Sequence, residues 1–379
     1  MKNKYSLLLV LGILISFTIR AQGNNDIPDI PGYKTLKCDF HIHTVFSDGK
    51  VWPEIRVTEA INEGLDAIAI TDHLKYGKLG KYPEVQEKNR NRSYEIALEA
   101  ASKSELIVIR GAEITQGMPP GHINAIFLTD ANIAQKEYMD TFYEARKQGA
   151  FIFWNHPHWK SPDKDFKQDG IPEWYDVHSE MLKKKLLMGI EIVNGRSYSK
   201  EAHQWCIEKN LTLIANSDIH IPIGMEYDLT LEHRPTTLVF AKEKSENGIK
   251  EALMNQRTAL WFEDNIIGNE TLLTHLFQES IKIIKTEYLE NLAVVTISNE
   301  SGIDYLLENT GEYSFYNKTN FVELNAASQL TLMVKTGQVM DQFHLKWSVK
   351  NMLVAPDTYL TAELLCKKSG IITDKKEIK

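Results

Sequence analysis

Between residues 36 and 256, short apolar runs alternate with longer stretches of helical period. The runs at 36–40, 67–71, 106–109, 123–128, 151–154, 190–193 and 211–215 have strand length and predict buried strands. Helical patterns fill the gaps at 54–63, 82–102, 134–148, 179–187 and 200–209. A further strand at 236–241 and a helix at 245–256 end the series. Strand and helix taking turns imply a mainly parallel sheet with crossovers. With about seven strands and no GxGxxG turn, a closed or distorted (β/α) barrel is expected rather than a doubly wound open sheet.

After residue 265 the pattern changes to short alternating segments at 294–298, 304–307, 322–324, 330–335, 343–349 and 358–364, separated by Gly, Asn and Pro. Leu345, Trp347 and Val349 show the period of two expected of a half-buried strand. These segments predict a small all-β, sandwich-like domain. The expected division is a leader at 22–34, an α/β domain at 35–265 and a β domain at 266–379. No metal, nucleophile or phosphate motif occurs in the β domain, so a packing or dimerisation role is expected of it.

Composition adjusts this picture only slightly. The chain has 379 residues, 43% hydrophobic and 25% charged, which suits one large and one smaller globular domain. A formal charge of −8 argues against a broad nucleic-acid surface. Lys2 and Lys4, the apolar core 7–17 and Ile19-Arg20-Ala21 form the pattern of a signal peptide over 1–21, so export to the periplasm is expected. That core is too short for a comfortable membrane span, and nothing later resembles one. Cys38, Cys206 and Cys366 follow no CxxC spacing and are read as small buried apolar residues. The sequence leaves the oligomeric state open.

The chemistry gathers at the ends of the predicted strands. His41 and His43, two apart on a strand, project to one face, and Asp48 follows on the next loop. Thr71-Asp72-His73 ends the second strand, Gly111-Ala112-Glu113 follows the third, and His122 opens the fourth. Asn155-His156-Pro157-His158 ends the fifth, Asn194-Gly195-Arg196 the sixth, and Asp218 and His220 follow the seventh. Imidazoles mixed with carboxylates suit divalent Zn, Mn or Fe, and there are too many ligands for one ion. No GxSxG elbow, Cys/His pair or Walker loop offers a competing chemistry.

HxH, then TDH, GxE, a lone His, HP and DxH in this order resemble the polymerase-and-histidinol-phosphatase (PHP) family of metal-dependent phosphoesterases over about residues 34–257. The resemblance implies a distorted (β/α)7 barrel of PHP type holding two to three divalent ions. Motif by motif, it implies that His41, His43, Glu113 and Asp218 hold one metal. Glu113 would bridge to a second held by His122 and His156, and Asp48, His73 and His220 would hold a third. Some relatives have a histidine where this loop offers Asp48. Export and the β-rich appendage look most like a periplasmic phosphodiesterase subgroup.

The expected reaction is hydrolysis of small phosphodiesters by attack of a metal-bridging hydroxide on phosphorus. Arg196, Lys75 and Arg234 are the candidate phosphate-binding cations, and His158 the candidate acid for the leaving alkoxide. Asp39 and Asp72 are read as structural, and Lys88, Arg90 and Arg92 as a solvated helix face. The alternatives are a histidinol-phosphatase-like phosphomonoesterase and, from another class, a non-catalytic metal- or ligand-binding exported protein. A small phosphoester is the expected partner, with no nucleic-acid polymer.

Overall fold

A computed structural model describes residues 27–74, 89–158 and 172–372. The expected signal peptide, Lys75 and the first residues of the predicted helix 82–102 lie outside them.

The α/β part runs β1 (Lys34–Ile42), α1 (Pro53–Asn62), β2 (Ala67–Ile70), α2 (Arg92–Ala101), β3 (Ile107–Ile114), β4 (Ile123–Ile126), α3 (Tyr138–Lys147) and β5 (Phe151–Trp154). It continues with α4 (Asp176–Lys183), β6 (Gly189–Asn194), β7 (Ser197–Tyr198), α5 (Lys200–Lys209), β8 (Thr212–Asn216), α6 (Ile223–Glu226), β9 (Thr236–Ala241) and α7 (Glu246–Met254). Helix starts follow local chemistry. Pro53 opens α1 at a position that needs no amide donor, while the Ser199 and Ser245 side chains accept amides of the first turns of α5 and α7.

Every residue of β2, β4 and β5 is buried, which explains why these strands read as continuous apolar runs rather than alternations. Ile68, Ile70 and Val108 pack with Val57, Ala60 and Ala97 of α1 and α2. Ile152, Trp154, Ile190 and Ile192 pack with Phe142, Ala145, Met181 and Ala202 of α3, α4 and α5. Each of the Ile, Val, Phe and Met side chains contributes about 1.5–3 kcal/mol by leaving water, and each Ala less.

The strand pairing differs from a parallel (β/α)7 barrel in two respects. First, β1, β2 and β3 pair in parallel, as do β5, β6 and β8, but β4 is antiparallel to both β3 and β5. The chain between β3 and β4 is a short turn with no crossover helix, so the fourth strand must reverse. Second, no ladder closes β8 onto β1. A lone bridge between Ile42 and Ile219 and a bond from the Phe40 amide to Asn216 Oδ1 (2.7 Å) span that seam. On its other side β1 pairs antiparallel with β9.

The sheet then continues out of the α/β part. Strand β10 (Thr258–Phe262) pairs with β9 and with β11 (Asn265–Gly268), and α8 (Glu270–Ser280) follows. The β domain comprises β12 (Ile281–Leu289), β13 (Leu292–Asn299), β14 (Tyr305–Asn309), β15 (Phe321–Leu324), β16 (Gln329–Lys335), β17 (Gln342–Ala355), β18 (Thr358–Lys367) and β19 (Gly370–Ile371). Strands β16, β13, β12 and β19 form one sheet. Strand β17 pairs with β14 and β18 and, in parallel, with β11, so the second sheet of this domain is continuous with that of the α/β part. One apolar cluster accordingly joins Leu238, Phe240 and Trp261 to Phe277, Tyr305 and Trp347. No helix among the described residues is long and apolar enough to cross a membrane.

Candidate metal centre

The C-terminal ends of β1, β2, β3, β5, β6 and β8 meet at one rim. Because β4 runs the other way, its N-terminal end lies at the same rim, which brings in His122 just ahead of it.

His41 and His43, on the same side of β1, place their Nε2 atoms 3.0 Å apart. Asp218 Oδ1 lies 3.1 Å from both, and Glu113 Oε2 lies 3.5 and 3.3 Å from them. The second Glu113 oxygen, Oε1, is 2.9 Å from His122 Nδ1 and 3.5 Å from His156 Nε2. Asp48 stands between His73 Nε2 (3.3 Å) and His220 Nε2 (3.2 Å), and His73 Nδ1 returns to Glu113 Oε2 at 2.8 Å. These nine side chains fall into overlapping sets with potential ligand atoms no more than 4.8 Å apart: His41–His43–Glu113, His41–His156–Asp218, His73–Glu113–His122 and His43–Asp48–His73–His220. All nine residues expected as ligands are thus brought together.

The donor set fits divalent cations. Asp48 Oδ1, Glu113 Oε2 and Asp218 Oδ1 are buried oxygens without a well-directed hydrogen bond among the described residues, although imidazole nitrogens lie 2.8–3.6 Å from them. Buried acceptors normally find donors, so three orphans aimed into one space mark a place built for cations. The titration of the groups points the same way. Burial alone would push the imidazole pKa values of His41, His73 and His220 down, but the surrounding carboxylates outweigh it and raise all three, His73 to about 10. Burial would likewise raise the carboxyls of Asp48, Glu113 and Asp218, and the imidazoles hold all three below the usual range.

The backbone is shaped to the same end. His156 (φ 28°) and Asp218 (φ 52°) occupy left-handed conformations, at a cost of roughly 1–3 kcal/mol each that the surroundings must offset. Gly49 lets the Asp48 loop fold back on β1, since a Cβ there would lie 2.7 Å from the His43 carbonyl carbon. Buried Arg56 ties the carbonyls of His43, Ile219 and Ile221 together from α1, fixing the chain on either side of His220. Asp72 accepts from the Thr44 amide and the Thr44 and Ser47 hydroxyls, the structural role expected of it.

Glu191, in the middle of β6, is the residue the sequence reading missed. Its fully buried carboxylate contacts His41 Nδ1 (3.1 Å) and accepts Asn216 Nδ2 (2.9 Å), the His156 amide (2.8 Å) and Asn194 Nδ2 (2.9 Å). An acid standing alone within Gly-Ile-Glu-Ile-Val was the available signal, because a charge in a buried strand must have partners.

Of the expected phosphate-binding cations, one is corrected by its partners. Arg234 is 1% exposed and bound to Asp39 and Glu63, so its guanidinium is spent inside the protein and is not offered at the rim. Arg196 is half exposed, but two 2.8 Å bonds to Glu232 and one to the Glu226 carbonyl hold it over the Tyr227 ring. It would have to exchange these contacts to meet a phosphate. Lys75 lies outside the described residues. His158 is partly buried two residues beyond His156, and its Nδ1 has no hydrogen-bond partner among the described residues.

Comparison with known proteins decides the family. A two-domain protein from Bacteroides vulgatus, described as containing a predicted PHP-like metal-dependent phosphoesterase, is 41% identical, and the match covers 90% of this chain and 97% of that one at a TM-score of 0.82. The chain belongs to this PHP-like family. A family model for an Ig-like domain matches residues 281–365, which identifies the β domain of this PHP-like protein. An uncharacterised protein from Methanocaldococcus jannaschii is 41% identical over 90 residues, 23% of this chain and 37% of that protein's length. An amidohydrolase from Chromobacterium violaceum, 15% identical over 49% of this chain and 88% of that one, superposes only at a TM-score of 0.34.

Proposed function

We propose that this chain is a metal-dependent phosphoesterase acting on small phosphodiesters, with two or three divalent ions of Zn, Mn or Fe held by His41, His43, Asp48, His73, Glu113, His122, His156, Asp218 and His220. The observation that carries the reading is the sharing of Glu113 between ligand sets, one oxygen facing His41, His43 and His73 and the other facing His122 and His156. A carboxylate used on both edges suits adjacent ions better than one closed structural site.

Bound ions would lower the pKa of coordinated water and polarise phosphoryl oxygens. The chain supplies the rest. Three carboxylates among the nine ligands leave a net positive centre once two divalent ions are in place, which favours an anionic substrate. Glu191 keeps the His41 ring fixed, with Nε2 turned to the ligand cluster. His158 is assigned proton transfer to the leaving oxygen, and Arg196 contact with the phosphate after release from Glu232. The likeness to the Bacteroides vulgatus protein supports the reaction class, and the preference for diesters is our own.

Hydrolysis of bis(p-nitrophenyl) phosphate against p-nitrophenyl phosphate, with Mn, Zn and Fe added separately, tests the reading. The diester should be turned over faster, and Glu113→Gln should abolish turnover while retaining the fold. A monoester preference would overturn the diesterase reading. Full activity in the variant would overturn the ligand assignment.

A further inference from the structure

The seam where β8 meets β1 without a ladder is also where two halves of the ligand cluster must be held in register. His41 and His43 come from β1, and Asp218 follows β8. Asp39, fully buried on β1, spans the gap. Its Oδ1 accepts the amides of His41 (3.3 Å) and Ser217 (3.2 Å), and its Oδ2 accepts the Ser217 hydroxyl (2.5 Å). Ser217 immediately precedes Asp218, whose φ of 52° needs such restraint.

A lone carboxylate at this depth is costly to keep charged. Arg234, ahead of β9, meets that need: Nη1 donates to Asp39 Oδ2 (3.0 Å), and Nε and Nη2 fork onto Glu63 at the end of α1 (2.9 and 2.5 Å). The guanidinium thereby anchors the same Asp39 oxygen that accepts the Ser217 hydroxyl. No atom of Arg234, Asp39 or Ser217 belongs to the ligand sets.

We propose that Arg234, acting through Asp39 and Ser217, is a positioning residue that sets the spacing between the His41–His43 pair and Asp218, and with it the cation affinity of the group they form. The inference rests on the metal-centre reading but not on the reaction. It replaces a phosphate-binding role for Arg234 with an internal one.

The test uses the full chain stripped of metal, titrated with Mn2+ or Zn2+ against a chelating dye, with thermal unfolding of the metal-free protein alongside. Ser217→Ala removes one hydroxyl and no charge. Arg234→Lys keeps the charge but cannot fork between two carboxylates. Both variants should bind the first equivalent at least ten-fold more weakly, as losses of outer partners of ligands do. Later equivalents should change less, and metal-free Ser217→Ala should melt near the parent. Parent-like affinity in both variants overturns the proposal. So does a parallel fall of affinity and metal-free melting temperature in both, or failure of both to fold, since the role would then be general stability. A parent chain that binds neither ion overturns the metal-centre reading, and this inference with it.

Discussion

Glu191 Oε1 lies 3.1 Å from His41 Nδ1, on the opposite edge of the imidazole from the Nε2 that faces His43, Glu113 and Asp218. This carboxylate fixes the ring so that Nε2 is free to serve as a ligand, and it makes that nitrogen a stronger donor. Glu191→Gln retains shape but loses the charge and should weaken divalent-ion binding about 10–100-fold. Glu191→Ala leaves the donors from Asn194, Asn216 and the His156 amide without their acceptor and should cost roughly 3 kcal/mol or more. Metal titration and chemical denaturation of both variants check this. Equal affinity in Glu191→Gln and parent would remove the carboxylate from any role in tuning the ligand.

Metal removal should be visible in stability as well as in turnover. The oxygens of Asp48, Glu113 and Asp218 face imidazole nitrogens without well-directed hydrogen bonds and would be fully ligated only with cations present, and an unfolded chain offers no such cluster. Ligand at a hundred times its dissociation constant contributes about 2.7 kcal/mol per site. Chelation should therefore lower the melting temperature by several degrees, and Mn2+ or Zn2+ should restore it at more than one equivalent per chain. Restoration complete at a single equivalent would contradict a multi-ion centre.

The part of this organisation that was readable in the sequence is the part written locally. His41 and His43, or Asp218 and His220, declare a shared direction by their spacing alone, and strand-length apolar runs place them at strand ends. The reversal of β4 was not read and a mainly parallel barrel was expected, although its signal is local, in the lack of any helical stretch between Glu113 and His122. What stayed hidden depends on distant partners. Arg234 reads as a free cation until folding sets it against Asp39 and Glu63, 195 and 171 positions away. The open seam between β8 and β1 is equally invisible, because each strand looks like an ordinary barrel strand until its neighbour is known. The continuation of the sheet through β10 and β11 into β17 escaped the alternation for the same reason.

That continuation predicts that the two parts unfold together. Asn351, 2% exposed on β17, donates to the carbonyls of Asp264 (2.8 Å) and Asp304 (2.7 Å), and its Oδ1 accepts the Leu306 amide (3.1 Å). It thus ties the turn between β10 and β11 to the β domain. Asn351→Leu leaves these groups unpaired and should cost roughly 3 kcal/mol, lowering the melting temperature of a single transition of the whole chain by roughly 4–5 °C. Calorimetry should show one transition moving as a whole. Two resolved transitions, with only the smaller one shifted, would mean that the shared strands do not couple the domains.

A last prediction concerns acid sensitivity away from the ligand cluster. His203 on α5 is buried, its Nδ1 lies 2.8 Å from the Tyr198 hydroxyl, and burial pushes its pKa from 6.5 down to about 4. Tyr198 meets Nδ1 in either tautomer of the neutral ring, whereas Nε2 is a buried atom with no hydrogen-bond partner among the described residues, so a second ring proton would have no acceptor. Between these two pKa values the unfolded chain binds the proton and the folded chain does not. Stability from this residue is therefore whole above pH 6.5 and is lost as pH falls towards 4, by at most about 3 kcal/mol. His203→Gln keeps an acceptor for Tyr198 and removes the titration. Denaturant unfolding of metal-free parent and variant from pH 7.5 to 4 should give curves that converge as pH falls, the parent losing stability faster. Curves that stay parallel over that range would show that His203 remains as free to take up a proton in the fold as in the open chain.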